Sequence, residues 1–225
     1  MDIVKLMAGQ IKGFKDKMKL MVLKKVMAKG QQNLIDLLEK LDKEGKQIII
    51  LTFPFQLFDL MRIMEEKGKT LSLGDKNSLI ITGGGWKIYE DKKLSSKEFA
   101  EMIERTLGVP PENYRDVYGM SEMNGLALDC EGRYKHLIPW IYPLVLDENN
   151  EPVGYGEVGR LAFLDPAAYS YPGFIITGDK VKLHEHCPAC DKEGIVMESD
   201  ISRMAGAEAK GCGNLMRGLL TEELR

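Results

Sequence analysis

Apolar residues recur every three or four positions from Val4 through Met7, Ile11, Phe14, Met18 and Met21, which places them on one face of a helix. Gly9 and Gly13 permit either one helix or two. From Gln31 the pattern becomes that of an α/β protein. A helical period over Asn33–Lys43 leads into the apolar run Gln47–Phe53, which reads as a buried strand, and residues 55–67 are again helical in period. Leu79–Thr82 predicts a short strand that runs into Gly83-Gly84-Gly85. Ser95 or Ser96, with Glu98 close behind, predicts a capped helix that Gly108 ends. Arg115–Tyr118 predicts a strand broken at Gly119. Beyond Gly125 short β segments at 137–146, 158–164, 173–177 and 180–184 alternate with turns rich in Pro, Gly and Asn.

The expected fold class is therefore α/β. Strands alternating with helices imply a parallel or mixed sheet, followed by a β-rich lobe. The expected division is residues 1–30 as a basic amphipathic helix, 31–126 as an α/β layer and 127–225 as the β-rich lobe. Eight lysines stand against Asp2 and Asp16 within residues 1–29. That basic helix either packs its Met/Val face on the domain or meets a partner or a membrane surface.

Composition narrows the function. The 225 residues are 44% hydrophobic and 29% charged, with a net charge of -3, so bulk charge gives no reason to expect a nucleic-acid partner. No apolar run approaches the roughly 18 residues of a membrane span, and no signal-peptide pattern opens the chain. A cytoplasmic protein without a transmembrane segment is expected. Four cysteines in a chain of this length do not make a disulfide scaffold.

Five segments carry candidate chemistry. Gly83-Gly84-Gly85-Trp86-Lys87 follows a strand, where glycines let the backbone approach a ligand and donate N–H groups to it. It matches the spacing of neither a Walker loop nor a dinucleotide fingerprint. Tyr118-Gly119-Met120-Ser121-Glu122 sets an aromatic, a hydroxyl and a carboxylate at a strand's C-terminal end, where α/β sheets bind ligands. Thr177-Gly178-Asp179 offers a carboxylate suited to ribose hydroxyls. Cys187-Pro-Ala-Cys190 sets two thiols on one tight turn, and with Cys130 and His136 it forms the Cys3His set of a closed zinc site. His184 and His186 are rival fourth ligands, and a redox pair or a buried pair of thiols is the alternative. Cys212, between Gly211 and Gly213 and near Lys210, has the mobility and positive surroundings of a reactive thiolate, or is an inert thiol near a terminus.

In this order the motifs resemble the adenylate-forming superfamily. The most similar members are the acyl-protein synthetases of the LuxE type, with phenylacetate–CoA ligases as near relatives. The resemblance spans about residues 47–213. It also rests on His136-Leu137-Ile138-Pro139-Trp140 and Ser170-Tyr171-Pro172-Gly173-Phe174.

The resemblance implies that a fatty or other carboxylic acid reacts with ATP to give an acyl-adenylate, and that the acyl group then passes to a cysteine thiol. Gly83, Gly84 and Gly85, with Trp86, would line the adenine and acyl pocket. Tyr118 at Gly119-Met120 would stack on adenine, Ser121 would touch the α-phosphate and Glu122 would bind magnesium. Asp179 would bind ribose and Arg203 the nucleotide. Cys212 would carry the acyl group, assisted by Lys210, to an acyl reductase partner. Zinc at Cys130, His136, Cys187 and Cys190 would follow the phenylacetate–CoA ligase pattern.

The family's Ser/Thr/Gly-rich phosphate loop has no counterpart here. The implied fold is thus a partial adenylate-forming one, and an N-terminal-half subunit is an expected partner. A non-catalytic, zinc-stabilised nucleotide- or partner-binding module, or a relative of the acyl-CoA ligases, is the alternative reading.

Overall fold

The computed structural model describes residues 13–86, 92–169 and 172–204. Helix α1 (Phe14–Lys43) begins directly after Gly13 and runs unbroken through residue 30, where the sequence suggests a division. The change there is one of charge, not of helical period, and a single interior glycine costs a helix only about 1 kcal/mol. Strand β1 (Ile49–Thr52) leads into α2 (Pro54–Glu66), which Pro54 opens at a position where no N–H is needed. Strand β2 (Leu79–Gly83) precedes α3 (Ser96–Leu107). Ser95 accepts the Glu98 N–H and the Glu98 carboxylate accepts the Ser95 N–H, a reciprocal cap, and Gly108 closes the helix in the left-handed conformation.

Strand β3 (Tyr114–Tyr118) completes a parallel trio, β1-β2-β3. All pairing after β3 is antiparallel. Strands β4 (Ala127–Asp129), β5 (Tyr134–His136), β6 (Tyr142–Leu146), β7 (Val158–Leu164), β8 (Phe174–His184) and β9 (Val196–Glu198) continue the sheet in the order β3-β4-β5-β9-β8-β7-β6. Strand β10 (Ser202–Arg203) pairs with β8. The fold is α/β on a mixed sheet, as the alternation of elements predicts.

Two strand predictions differ from the structure. The 137–146 segment is not one strand: Pro139 lacks the N–H a ladder needs, and the chain turns there between β5 and β6. Conversely, 173–177 and 180–184 form one strand across Gly178. The Thr177 hydroxyl donates to the Leu161 carbonyl where the β7–β8 register shifts, so a side chain bridges the irregularity that the sequence shows as a break.

The main core lies where α1, α2 and α3 pack on one face of the parallel trio, around Ile35, Leu57, Met61, Ile80, Phe99 and Ile103. A smaller core in the antiparallel half contains Ala127, Val145, Leu161, Val181, Leu183 and Met197.

Candidate nucleotide site and metal centre

Because Gly83 pairs with Val117, the glycine triplet and Tyr118 leave the sheet side by side at the C-terminal edge of two parallel strands. Gly84 and Gly85 take φ of 84° and 73°, and a Cβ on Gly84 would lie 2.9 Å from the Phe53 ring. The turn therefore requires glycine for both conformation and space.

Trp86, expected to line the pocket, follows directly on the turn. It is buried and meets Phe58 and Phe99 edge-on, with ring centroids 5.5 and 5.0 Å apart. An indole with two aromatic neighbours gains more from the core than from solvent at the strand ends, so Trp86 anchors the turn from below.

Tyr118, Asp179 and Arg203 converge. The Tyr118 hydroxyl donates to Asp179 Oδ2 at 2.7 Å, and Arg203 Nε lies 3.2 Å from Asp179 Oδ1. Strand pairing sets this up, since Arg203 on β10 stands opposite Asp179 on β8. Burial, reinforced by the Asp179 charge, raises the Tyr118 phenol far above its ordinary range and keeps it a neutral donor. Tyr118 packs against the smaller core. Each Asp179 oxygen uses one lone pair on these partners and has another left over.

Ser121 and Glu122 lie in the turn that follows, Ser121 exposed and Glu122 partly so. The Asn124 backbone N–H and side-chain amide both donate to Asp165 Oδ2, at 2.8 and 3.1 Å. The Ala167 N–H donates to Asp165 Oδ1 at 2.9 Å. The Asn124 N–H first, then that of Ala167, holds the Asp165 carboxyl below its ordinary range. Asp165 thus ties the Gly119–Asn124 turn to the β7–β8 connection. In the sequence its sign is an Asp-Pro pair ending the apolar run of β7, too common a pattern to single it out.

A buried ionic cluster was also missed. Lys135 is 1% exposed and its Nζ reaches Asp116 at 2.6 Å and Asp129 at 2.9 Å. Thr82 donates to the other Asp116 oxygen, and Ser199 to Asp129. The cluster joins β2, β3, β4 and β5 behind the ligand edge. A lone lysine in a three-residue strand gives no sequence sign of this.

Cys130, His136, Cys187 and Cys190 come together, with their ligand atoms all within 4.8 Å of one another. Cys130 Sγ lies 3.8 Å from Cys187 Sγ, and Cys190 Sγ lies 3.3 Å from His136 Nε2. Tetrahedral zinc, with Zn–S near 2.3 Å, sets sulfurs about 3.8 Å apart and sulfur and nitrogen slightly closer, whereas a disulfide needs about 2.05 Å. The donor set fits zinc. Gly132 permits the approach of the two segments, since a Cβ there would lie 2.0 Å from the Ala189 Cβ. Burial lowers the His136 imidazole, and the Lys192 N–H lowers the Cys190 thiol, both toward the ligating form. Of the rivals, His184 is engaged with Glu198 at 2.9 Å and His186 is exposed. Lys210 and Cys212 lie outside the described residues.

A model of the LuxE acyl-protein synthetase family matches residues 22–221. The chain belongs to the LuxE family. It is 30% identical over 188 residues to a long-chain-fatty-acid–luciferin-component ligase of Aliivibrio fischeri, covering 83% of this chain and 49% of the relative. It is 29% identical over 186 residues to the Vibrio harveyi protein of the same name, covering 82% and 48%. This LuxE-family chain therefore spans about half the length of the curated relatives it matches.

Its fold is similar to that of McyG A-PCP complexed with phenylalanyl-adenylate, at a TM-score of 0.51 and 16% identity, covering 78% of this chain and 29% of that one. It is also similar to the adenylation domain of a keto acid-selecting NRPS module bound to keto acyl adenylate. There the TM-score is 0.50 and the identity 13%, covering 77% of this chain and 38% of that one. The shared fold is that of adenylate-forming enzymes. Among the described residues, no helix is long and apolar enough to cross a membrane.

Proposed function

We propose that this chain is the adenylate-binding and acyl-transferring part of an AMP-forming acyl-protein synthetase acting on a fatty acid. The observation that carries the reading is the convergence of Tyr118, Asp179 and Arg203 beside the glycine turn, at the C-terminal edge of parallel strands. Family membership and relatives named as fatty-acid ligases support it.

In this reading the Gly84-Gly85 backbone admits a flat base and Tyr118 lies against it. Asp179 accepts the two ribose hydroxyls on its free lone pairs, with Arg203 and the Tyr118 hydroxyl fixing the carboxylate. Ser121 donates to the α-phosphate. Glu122, a partly exposed carboxylate, suits magnesium, which would neutralise phosphate charge. The Cys212 thiolate attacks the acyl carbonyl of the bound acyl-adenylate. A thioester bond forms, the acyl–phosphate bond breaks, and AMP leaves with the electron pair. Lys210 supports the thiolate by charge. Zinc at Cys130, His136, Cys187 and Cys190 is structural and takes no part in these steps.

Calorimetry tests the site. AMP is expected to bind at least as tightly as ATP, since base and ribose contacts are present in these residues and a triphosphate cradle is not. Asp179→Asn should weaken AMP about tenfold to a hundredfold, the scale of charge-assisted hydrogen bonds. AMP affinity unchanged in that variant, or ATP binding more tightly than AMP, would contradict the reading.

A further inference from the structure

Helix α1 carries two apolar strips, and the core takes one of them. Leu20, Ile35 and Leu38 are buried and Leu23 and Met27 half-buried, at the helical spacing that sets them on the inward side. The outward side of the helix's first half is not simply polar. Phe14, Met18, Met21 and Lys25 form one row at steps of four and three residues, and Lys15, Lys19, Val22, Val26 and Lys29 form the row beside it. All nine side chains are exposed, the five apolar ones between 53% and 79%. Scattered apolar residues on a surface need no explanation, but neighbouring ones on a helix that already packs by its other side mark a contact surface. Between Phe14 and Leu34 six lysines stand against Asp16 alone, in a chain whose net charge is -3. Positive charge is therefore gathered on this helix against the balance of the whole.

We infer that the outward face of the first half of α1 docks on a bilayer surface that carries anionic lipid. Two features select lipid over protein as the occupant. Protein interfaces favour Tyr, Trp and Arg and are poor in Lys, whereas Phe14–Leu34 contains no Tyr, Trp or Arg and every cation in it is a lysine. Apolar and cationic side chains also alternate within each row, with no apolar centre inside a charged rim. A bilayer takes that mixture: Phe14, Met18, Met21, Val22 and Val26 enter the acyl boundary, while the lysine stems reach past them to headgroup phosphates. Each lysine held near an anionic surface adds roughly fivefold to affinity, so a row of them makes the contact strongly dependent on lipid charge. Under the proposed function the contact sets the site at the surface in which a long-chain fatty acid dissolves. The inference itself rests on α1 and not on that reading.

Vesicle sedimentation of the full chain tests it. The chain should sediment with vesicles of phosphatidylcholine containing about 30% phosphatidylglycerol and not with phosphatidylcholine alone. Raising salt from about 0.1 to about 0.5 M should release it. Lys25→Glu with Lys29→Glu should weaken binding about tenfold or more. Arg62→Glu with Lys97→Glu makes the same charge change at exposed positions of α2 and α3 and should leave binding within about twofold. Met18→Gln with Val22→Gln should weaken binding about fivefold or more, since the apolar side chains no longer leave water. Thermal melting and AMP binding should be unchanged in all three variants, because every altered side chain is exposed. Failure of the parent chain to bind AMP would count against the nucleotide reading and leave this inference standing. Equal sedimentation with neutral vesicles, sedimentation with neither, or binding that survives either α1 variant would overturn the inference. So would a dimer of this chain that Met18→Gln with Val22→Gln dissociates, since a second copy would then cover the face.

Discussion

The parallel and antiparallel halves of the sheet are held together by different physics. Among the described residues, the first gathers eighteen buried residues, from three helices, two strands and their connections, into one cluster. The second has six in its corresponding cluster and no helix of its own among the described residues. What it has instead is a Cys3His cluster at one end and a lysine buried between two carboxylates in the middle. Where helices supply apolar area, burial at about 25 cal/mol per Å² suffices. Where short strands and turns dominate, directional bonds hold the chain. The proposed nucleotide site lies at the junction, with Tyr118 from the last parallel strand and Asp179 from the antiparallel half.

Disrupting the metal centre should separate the halves most. The chain is expected to contain about one zinc per molecule by elemental analysis. Chelation or Cys187→Ser should remove stability on the order of 10 kcal/mol from the antiparallel half, the scale of structural zinc. Hydrogen exchange should rise across β4, β5, β8 and β9 before it rises in α2 or α3. Equal exchange in both halves would erase the contrast, as would a metal-free protein of unchanged stability.

Next in size is Lys135→Met. It leaves buried Asp129 with only Arg133 at 4.0 Å, and partly buried Asp116 without its lysine, and should cost about 3 kcal/mol by denaturant unfolding. A neutral result would mean that the apolar contacts of the second half suffice by themselves. In the parallel half, Ser95→Ala removes the α3 cap and should cost about 1 kcal/mol while leaving zinc content unchanged.

The smallest expected effect is pH-dependent. The folded-state pKa of Asp165 is lowered by the Asn124 and Ala167 N–H groups, so its stabilisation is present above the ordinary carboxylate range. That stabilisation is lost as pH falls through the lowered value. Asp165→Asn should flatten that part of the acid limb and loosen the Gly119–Asn124 turn in hydrogen exchange. An unchanged acid limb would show that the turn is held otherwise.

The two halves also differed in how far the sequence revealed them. In the parallel half, periodicity and local signals sufficed: the Ser95–Glu98 cap, the Gly108 stop and the strand before Gly83 all lie within a few residues of what they determine. In the antiparallel half the decisive partners are far apart. His136 and Cys190 meet across 54 residues, and Tyr118 and Asp179 across 61. The cysteine spacing still pointed to the Cys3His cluster, because a Cys-x2-Cys knuckle is a local pattern. Lys135 and Asp165 were not legible, since an isolated charged residue carries no sign of burial. The burial of Trp86 was not legible, because a motif shows adjacency along the chain and not the side on which an indole packs.

The central claim is that this chain takes an acyl group from an adenylate onto its own cysteine. The most direct measurement supplies that intermediate and asks where the acyl group goes. A synthetic long-chain fatty acyl-adenylate, incubated with the purified chain, should release AMP and leave a hydroxylamine-sensitive adduct on the peptide containing Cys212, read by mass spectrometry. Asp179→Asn should slow adduct formation without altering zinc content, and Cys212→Ser should abolish it. An adduct on Cys187 or Cys190 instead, or AMP release with no thioester on Cys212, would contradict the account.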